Sequence, residues 1–160
     1  MIEKLISGGQ TGADRGALTI AIQLHIPHGG WCPLNRHAED GTIPQHYQLI
    51  ETPLEEYAQR TEWNVRDSDA TIIFTLSGDM KGGTLLTEKL AREKWNRPCL
   101  HIVLGGGKHV EDREWSNREA FQSFIAKHKV KVLNVAGPRE SSEPGIGAAV
   151  ESFLSGVLLL

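Results

Sequence analysis

The sequence predicts an α/β protein, a three-layer fold with a mainly parallel sheet, on three observations. Short β-branched or apolar runs near residues 3–7, 70–75, 99–104 and 131–135 alternate with segments of helical periodicity. Such alternation is the pattern of βα units around a parallel sheet. A glycine-rich turn, Ser7-Gly8-Gly9-Gln10-Thr11-Gly12-Ala13-Asp14-Arg15, joins the first run to the first helical segment. A length of 160 residues with 39% hydrophobic content suits one domain, 1–160.

In chain order, the first helix is expected from Ala13 to Leu24, with Leu18, Ala21 and Ile22 on one face. Pro27 and the pair Gly29-Gly30 end it before a second strand near Trp31. Residues 33–53 carry Pro33, Gly41, Pro44 and Pro53 without a clear period, and read as a long ordered loop or lid. Trp31, His46 and Tyr47 set that loop apart from a disordered linker. Further helices are expected near 54–61, 83–95, 116–128 and 144–156, the last with Pro144 in its first turn. The segments 8–15, 31–41, 76–84 and 136–145 each follow a strand. In an open parallel sheet they gather at the strands' carboxyl ends, where ligands bind.

A formal charge of −3 gives no general reason to expect nucleic acid or an acidic membrane as partner, so a charged ligand must be met locally. No run of about 18 apolar residues is present. The N-terminal residues lack the pattern of a secretion signal, which makes the cytoplasm the expected location. The apolar Val157–Leu160 reads as the end of a helix or part of a subunit contact. Cys99 falls in an expected buried strand and reads as a small hydrophobe, whereas Cys32, in a loop, is a candidate reactive thiol. Seven histidines and two cysteines show no metal-ligand spacing, so no protein-ligated metal is expected.

The first glycine turn has the ingredients of an anion cradle, because glycines admit close approach and a helix N-terminus favours negative charge. It matches neither the dinucleotide fingerprint nor the Walker A pattern, so an anionic ligand other than ordinary ATP or NAD is expected. A second turn, Gly82-Gly83-Thr84, opens another helix, and Thr84 can cap it or bond a phosphate. Arg139, in the turn after the last strand, suits a phosphate or carboxylate, or else pairs with Glu140 or Glu143. In the loop 31–41, Trp31 can stack a heterocycle or fill the core and Arg36 can pair with phosphate. Glu39 or Asp40 can bond ring nitrogens or ribose hydroxyls, or lie in solvent. Asn64 and Asp67 are expected to tie loops together through backbone hydrogen bonds.

The runs 7–15, 31–41, 60–71, 82–87 and 134–141 together resemble the molybdenum carrier family. This is a molybdenum-cofactor carrier-like branch of the SLOG superfamily, distantly related to lysine-decarboxylase-like phosphoribohydrolases, and it implies a three-layer Rossmann-like fold with a mainly parallel sheet. The resemblance covers nearly the whole chain. It implies a nucleotide-like or pterin-phosphate ligand and a homo-oligomer. Carried over by position, Gly8, Gly9, Gln10, Thr11 and Gly12 line one wall of the site, Gly82, Gly83 and Thr84 the other, and Arg36 and Arg139 the rim; Asp14, Arg15 and Thr87 are expected beside them as further ligand contacts. The phosphoribohydrolases carry a catalytic glutamate three residues after the threonine; here Thr87 holds that offset and Glu88 follows one later. One residue turns a helical side chain by about 100°, so hydrolysis by that glutamate is not expected. Asn35 stands where the family loop commonly has glycine.

These readings converge on a binding or carrier protein for a phosphorylated heterocycle, either molybdenum cofactor (molybdopterin) or a nucleotide derivative. The alternatives are a nucleotide-processing hydrolase of N-glycosidase or phosphoribohydrolase type, with Asp14, Glu39, Asp40 or Glu88 as acid or base, and a nucleotide-sensing module.

Overall fold

The computed structural model describes residues 1–106 and 110–159. Nine strands and five helices follow in the order β1 (Lys4–Ile6), α1 (Ala13–Gln23), β2 (His28–Gly29), β3 (Trp31–Cys32), β4 (His37–Ala38), β5 (Gly41–Thr42), β6 (Ile50–Glu51), α2 (Tyr57–Arg66), β7 (Ala70–Thr75), α3 (Gly82–Lys89), β8 (Cys99–Val103), α4 (Val110–His128), β9 (Val132–Ala136) and α5 (Ile146–Leu158). The central sheet has the order β2-β1-β9-β7-β8, parallel throughout. This is the three-layer α/β Rossmann-like architecture. Counting its strands from β9 turns that order into 3-2-1-4-5, the doubly wound arrangement with its starting point moved. The switch in strand order then falls between β9 and β7.

β7 shows why the sheet needs helices on both sides. Its six residues are all buried, and successive side chains point to opposite faces. Ile72 and Phe74 join the main core with α1 and α5, while Ile73 packs with Val65 of α2 and with Ala91 on the other face. Helices α1 and α5 approach so closely that a Cβ on Gly16 would stand 2.5 Å from the Gly147 carbonyl oxygen.

Four elements differ from the sequence expectation. The second sheet strand is His28–Gly29, not the segment at Trp31. Gly30, at φ 122°, turns the chain away, and β3 pairs instead with β6 in a separate ribbon. The long ordered loop or lid expected at 33–53 contains that ribbon partner and the hairpin β4–β5. Helix α2 starts and ends later than expected, and α4 starts earlier. After Lys89 the third helix continues through a π turn at Leu90–Lys94, inside the expected helical span.

Candidate functional site

A cleft of about 610 Å³ opens at the carboxyl ends of β1, β9 and β7, on the side of α2 and α3. Of the residues expected to bind ligand, Gly8, Gln10, Asp14, Gly82, Gly83, Thr84, Thr87 and Arg139 line it. Gly9, Thr11, Gly12, Arg15, Trp31, Arg36, Glu39 and Asp40 do not.

The two glycine turns are built differently. In the first, amide donors serve the chain itself. Gln10 N–H donates to Asp14 Oδ2 at 3.2 Å, Thr11 N–H to the Gln10 side-chain oxygen at 3.0 Å, and Ala13 N–H to the Pro138 carbonyl at 3.2 Å. Asp14 thus supplies a carboxylate at its own helix N-terminus, the place where negative charge is favoured. Gly12 is required for close approach, since a Cβ there would lie 2.5 Å from the Pro138 carbonyl oxygen.

In the second turn the donors are open. Lys81 precedes α3 without a side-chain cap, and the Gly82 and Gly83 N–H groups have no partner among the described residues. A Cβ on either glycine would meet nothing within 4 Å. The head of α3 therefore offers unpaired amides and the positive end of a helix dipole to the cleft. Thr87 faces the same space and donates to the Gly83 carbonyl at 2.8 Å, while Glu88 points elsewhere and pairs with Arg92 at 3.1 Å.

Burial raises the carboxyl pKa of Asp14 from its ordinary value, against the opposing charge of Arg60. Arg60 was not singled out as a ligand residue from the sequence. Its Nη1 donates to the Gly8 carbonyl at 2.8 Å and lies 3.4 Å from Asp14 Oδ2, and its guanidinium sits 5.2 Å from the Tyr57 ring centroid. Arg139 approaches the same ring at 5.6 Å, and its distance of 3.9 Å to Glu39 makes only a loose ion pair. The expected alternative pairing with Glu140 or Glu143 does not form. Glu140 accepts the Gly145 and Gly147 amides at the head of α5, and Glu143 accepts Leu76 N–H at 2.6 Å and the Ser77 amide and hydroxyl. Burial opposes ionisation of Glu143, yet those hydrogen bonds hold it below its ordinary value. Tyr57, Arg60, Thr61 and Asn64 all line the cleft. Their spacing of i, i+3, i+4 and i+7 is a polar stripe on one face of α2, a signal present in the sequence.

The residues outside the cleft hold its surroundings in place. Arg36 is buried and donates to the carbonyls of Ile43, Pro44 and Tyr47 at 2.8–3.0 Å, which folds the long loop over itself. Trp31 gives its indole N–H to Asp67 at 2.8 Å, and its backbone is held on both sides by Asn64. Arg15 forms a two-pronged pair with Asp40, 2.7 Å on one arm, holding that carboxyl below its ordinary value. Glu39 accepts the hydroxyls of Ser141 and Thr11 and the Ser141 amide, which hold it lower likewise. Cys32 is fully buried, and burial pushes its thiol pKa up; Cys99 is pushed up to about 11. Neither is an activated thiolate.

Gln10 carries the one fully buried side-chain donor of the cleft that has no partner among the described residues. Its side-chain oxygen accepts the Thr11 and Glu39 amides, both at 3.0 Å, while Nε2 is buried with no partner. Leaving such a donor unpaired costs about 1–3 kcal/mol. Among the described residues, no group of three or more His, Cys, Asp or Glu is placed to hold a metal ion, and no helix is long and apolar enough to cross a membrane.

Comparison with known proteins agrees with this geometry. No curated protein matches the sequence. A crystal structure of a protein from Syntrophus aciditrophicus SB, described as Putative molybdenum carrier protein, is 47% identical. The match covers 98% of this chain and 95% of that one, with a TM-score of 0.90. The family model for the circularly permutated YpsA SLOG family matches residues 5–158. A permuted chain is what the strand count from β9 describes, and the chain belongs to the circularly permutated YpsA SLOG family.

Proposed function

We propose that the protein binds and carries a small phosphorylated heterocycle, molybdenum cofactor or a nucleotide derivative, at the cleft between β1, β9 and β7. The observation that carries this reading is the open head of α3, where the Gly82 and Gly83 amides are unpaired within a 610 Å³ space. That volume lies in the range of small-molecule sites. The phosphate sits on those amides and on Thr84, with Arg60 and Arg139 supplying countercharge, and the ring lies towards Gln10 and Tyr57. The donor set fits a pterin phosphate, whose dithiolene would bring the molybdenum, so no protein ligand to the metal is needed. The name of the relative from Syntrophus aciditrophicus supports molybdenum cofactor as the first ligand to test. A homo-oligomer in the cytoplasm completes the reading.

Hydrolysis is the second reading, and Asp14 favours it. Of the four carboxylates considered as acid or base, Asp14 alone lines the cleft, and burial raises its pKa from the ordinary value. Native mass spectrometry of protein purified gently from its own host, with release of the bound molecule, tests the proposal. A phosphorylated pterin or nucleotide is the expected result. Protein that emerges empty and binds neither pterin phosphates nor nucleotides at micromolar concentration overturns it. Turnover of a nucleoside monophosphate that is lost in Asp14→Asn moves the function to the hydrolase.

A further inference from the structure

The side chain of Gln10 has one possible orientation. Its oxygen accepts two backbone N–H groups, from Thr11 and from Glu39, so exchanging oxygen and nitrogen would set donor against donor twice. Nε2 is therefore a fixed donor. The residue is 6% exposed, it lines the cleft, and Nε2 has no partner among the described residues. Gln10 follows β1 and the head of α3 follows β7, with β9 between them. The two groups therefore stand on the two sides of β9 at the mouth of the cleft. With the phosphate on the α3 amides, beyond β9, the atom that meets Nε2 belongs to another part of the ligand, and it must be an acceptor.

We infer that Gln10 selects the heterocycle, reading a ring carbonyl oxygen and thereby favouring oxo-substituted rings over their amino-substituted counterparts. This rests on the reading of the cleft as a site for a phosphorylated heterocycle, and it adds the class of ring. An amino substituent would bring a second donor against Nε2, leaving both unsatisfied. An oxo group at the same position gives Nε2 the acceptor it lacks. The acceptor role of the Gln10 oxygen continues unchanged, because it serves Thr11 and Glu39 and not the ligand.

Inosine and adenosine 5′-monophosphates differ at one ring position in this sense, and calorimetric titration of each, beside a 4-oxopterin phosphate, supplies the test. The unaltered protein is expected to bind the inosine compound at least tenfold more tightly than the adenosine compound. Gln10→Glu keeps an oxygen for the two amides and replaces the donor, so the preference should collapse while thermal unfolding shows a folded protein. Equal affinity for the two nucleotides in the unaltered protein overturns the inference and leaves the phosphorylated-heterocycle reading standing. A preference that survives in folded Gln10→Glu does the same. Binding of none of the three probes overturns both. Should Gln10→Glu fail to fold, the ratio measured on the unaltered protein decides.

Discussion

Arg60 and Asp14 form an ion pair at 3.4 Å with each side chain only 10% exposed, and the same guanidinium nitrogen holds the Gly8 carbonyl at 2.8 Å. Glycine at position 8 is part of this arrangement, since a Cβ there would lie 2.2 Å from Arg60 Nη1. The pair locks α2 to the head of α1 and fixes an arginine in the cleft wall. Two charges buried together are tolerated because each neutralises the other; removal of one strands its partner. Arg60→Ala is expected to lower stability by about 3 kcal/mol in urea unfolding. Adding Asp14→Asn should restore part of that loss, so the double variant costs less than the sum of the singles. Strictly additive losses would show that the pair is not coupled.

Gly16 tests the contact between α1 and α5. Alanine within an exposed helix normally gains about 1 kcal/mol over glycine. Here the added methyl would stand 2.5 Å from the Gly147 carbonyl, a backbone atom that cannot swing aside. Gly16→Ala should therefore destabilise by about 1–3 kcal/mol, the range for overpacking, with a lower melting temperature as the readout. An unchanged or raised melting temperature would show that the two helices separate freely.

The layered fold was legible because the signal that defines it is local. Ala70–Thr75 is a β-branched run too apolar to face water on either side, and the structure buries it on both. The second strand was misplaced because His28 and Gly29 carry no apolar pattern; their position comes from backbone pairing with Leu5 and Ile6. The stronger aromatic signal at Trp31 belongs to a two-residue ribbon. Among the arginines, Arg60, which faces the cleft, belongs to a polar helical stripe, whereas no local pattern marks Arg36 as a residue whose donors go to loop carbonyls. That difference arises from which helix face meets the sheet edge. The stripe at 57, 60, 61 and 64 needed the true span of α2 before its period could be read.

The head of α3 separates stability from binding. Gly83 lies in the first turn, and alanine there meets nothing within 4 Å. Gly83→Ala should leave stability unchanged or raise it by up to about 1 kcal/mol through helix propensity. The same methyl enters the space where a phosphate would sit on the amides, so affinity for a nucleoside monophosphate or pterin phosphate should fall at least tenfold. Equal affinity in the two proteins, measured by titration, would place the phosphate elsewhere.

Glu39 makes the closure of the long loop sensitive to acid. The Ser141 hydroxyl, then that of Thr11, hold its carboxyl below the ordinary value of 4.5. A carboxyl whose pKa is lowered by folding contributes stability that is present above its unfolded value and is lost as the pH falls through the folded one. Stability from this group is therefore whole above pH 4.5 and declines below it. Glu39→Gln removes the ionised acceptor shared by Ser141 and Thr11, so the variant should melt lower than the parent at neutral pH and draw level with it in acid. Asp40, held low by Arg15, acts in the same sense and remains in the variant, so a residual acid slope is expected. Parallel melting curves across the whole acid range would show that Glu39 does not fasten the hairpin β4–β5 to the turn after β9.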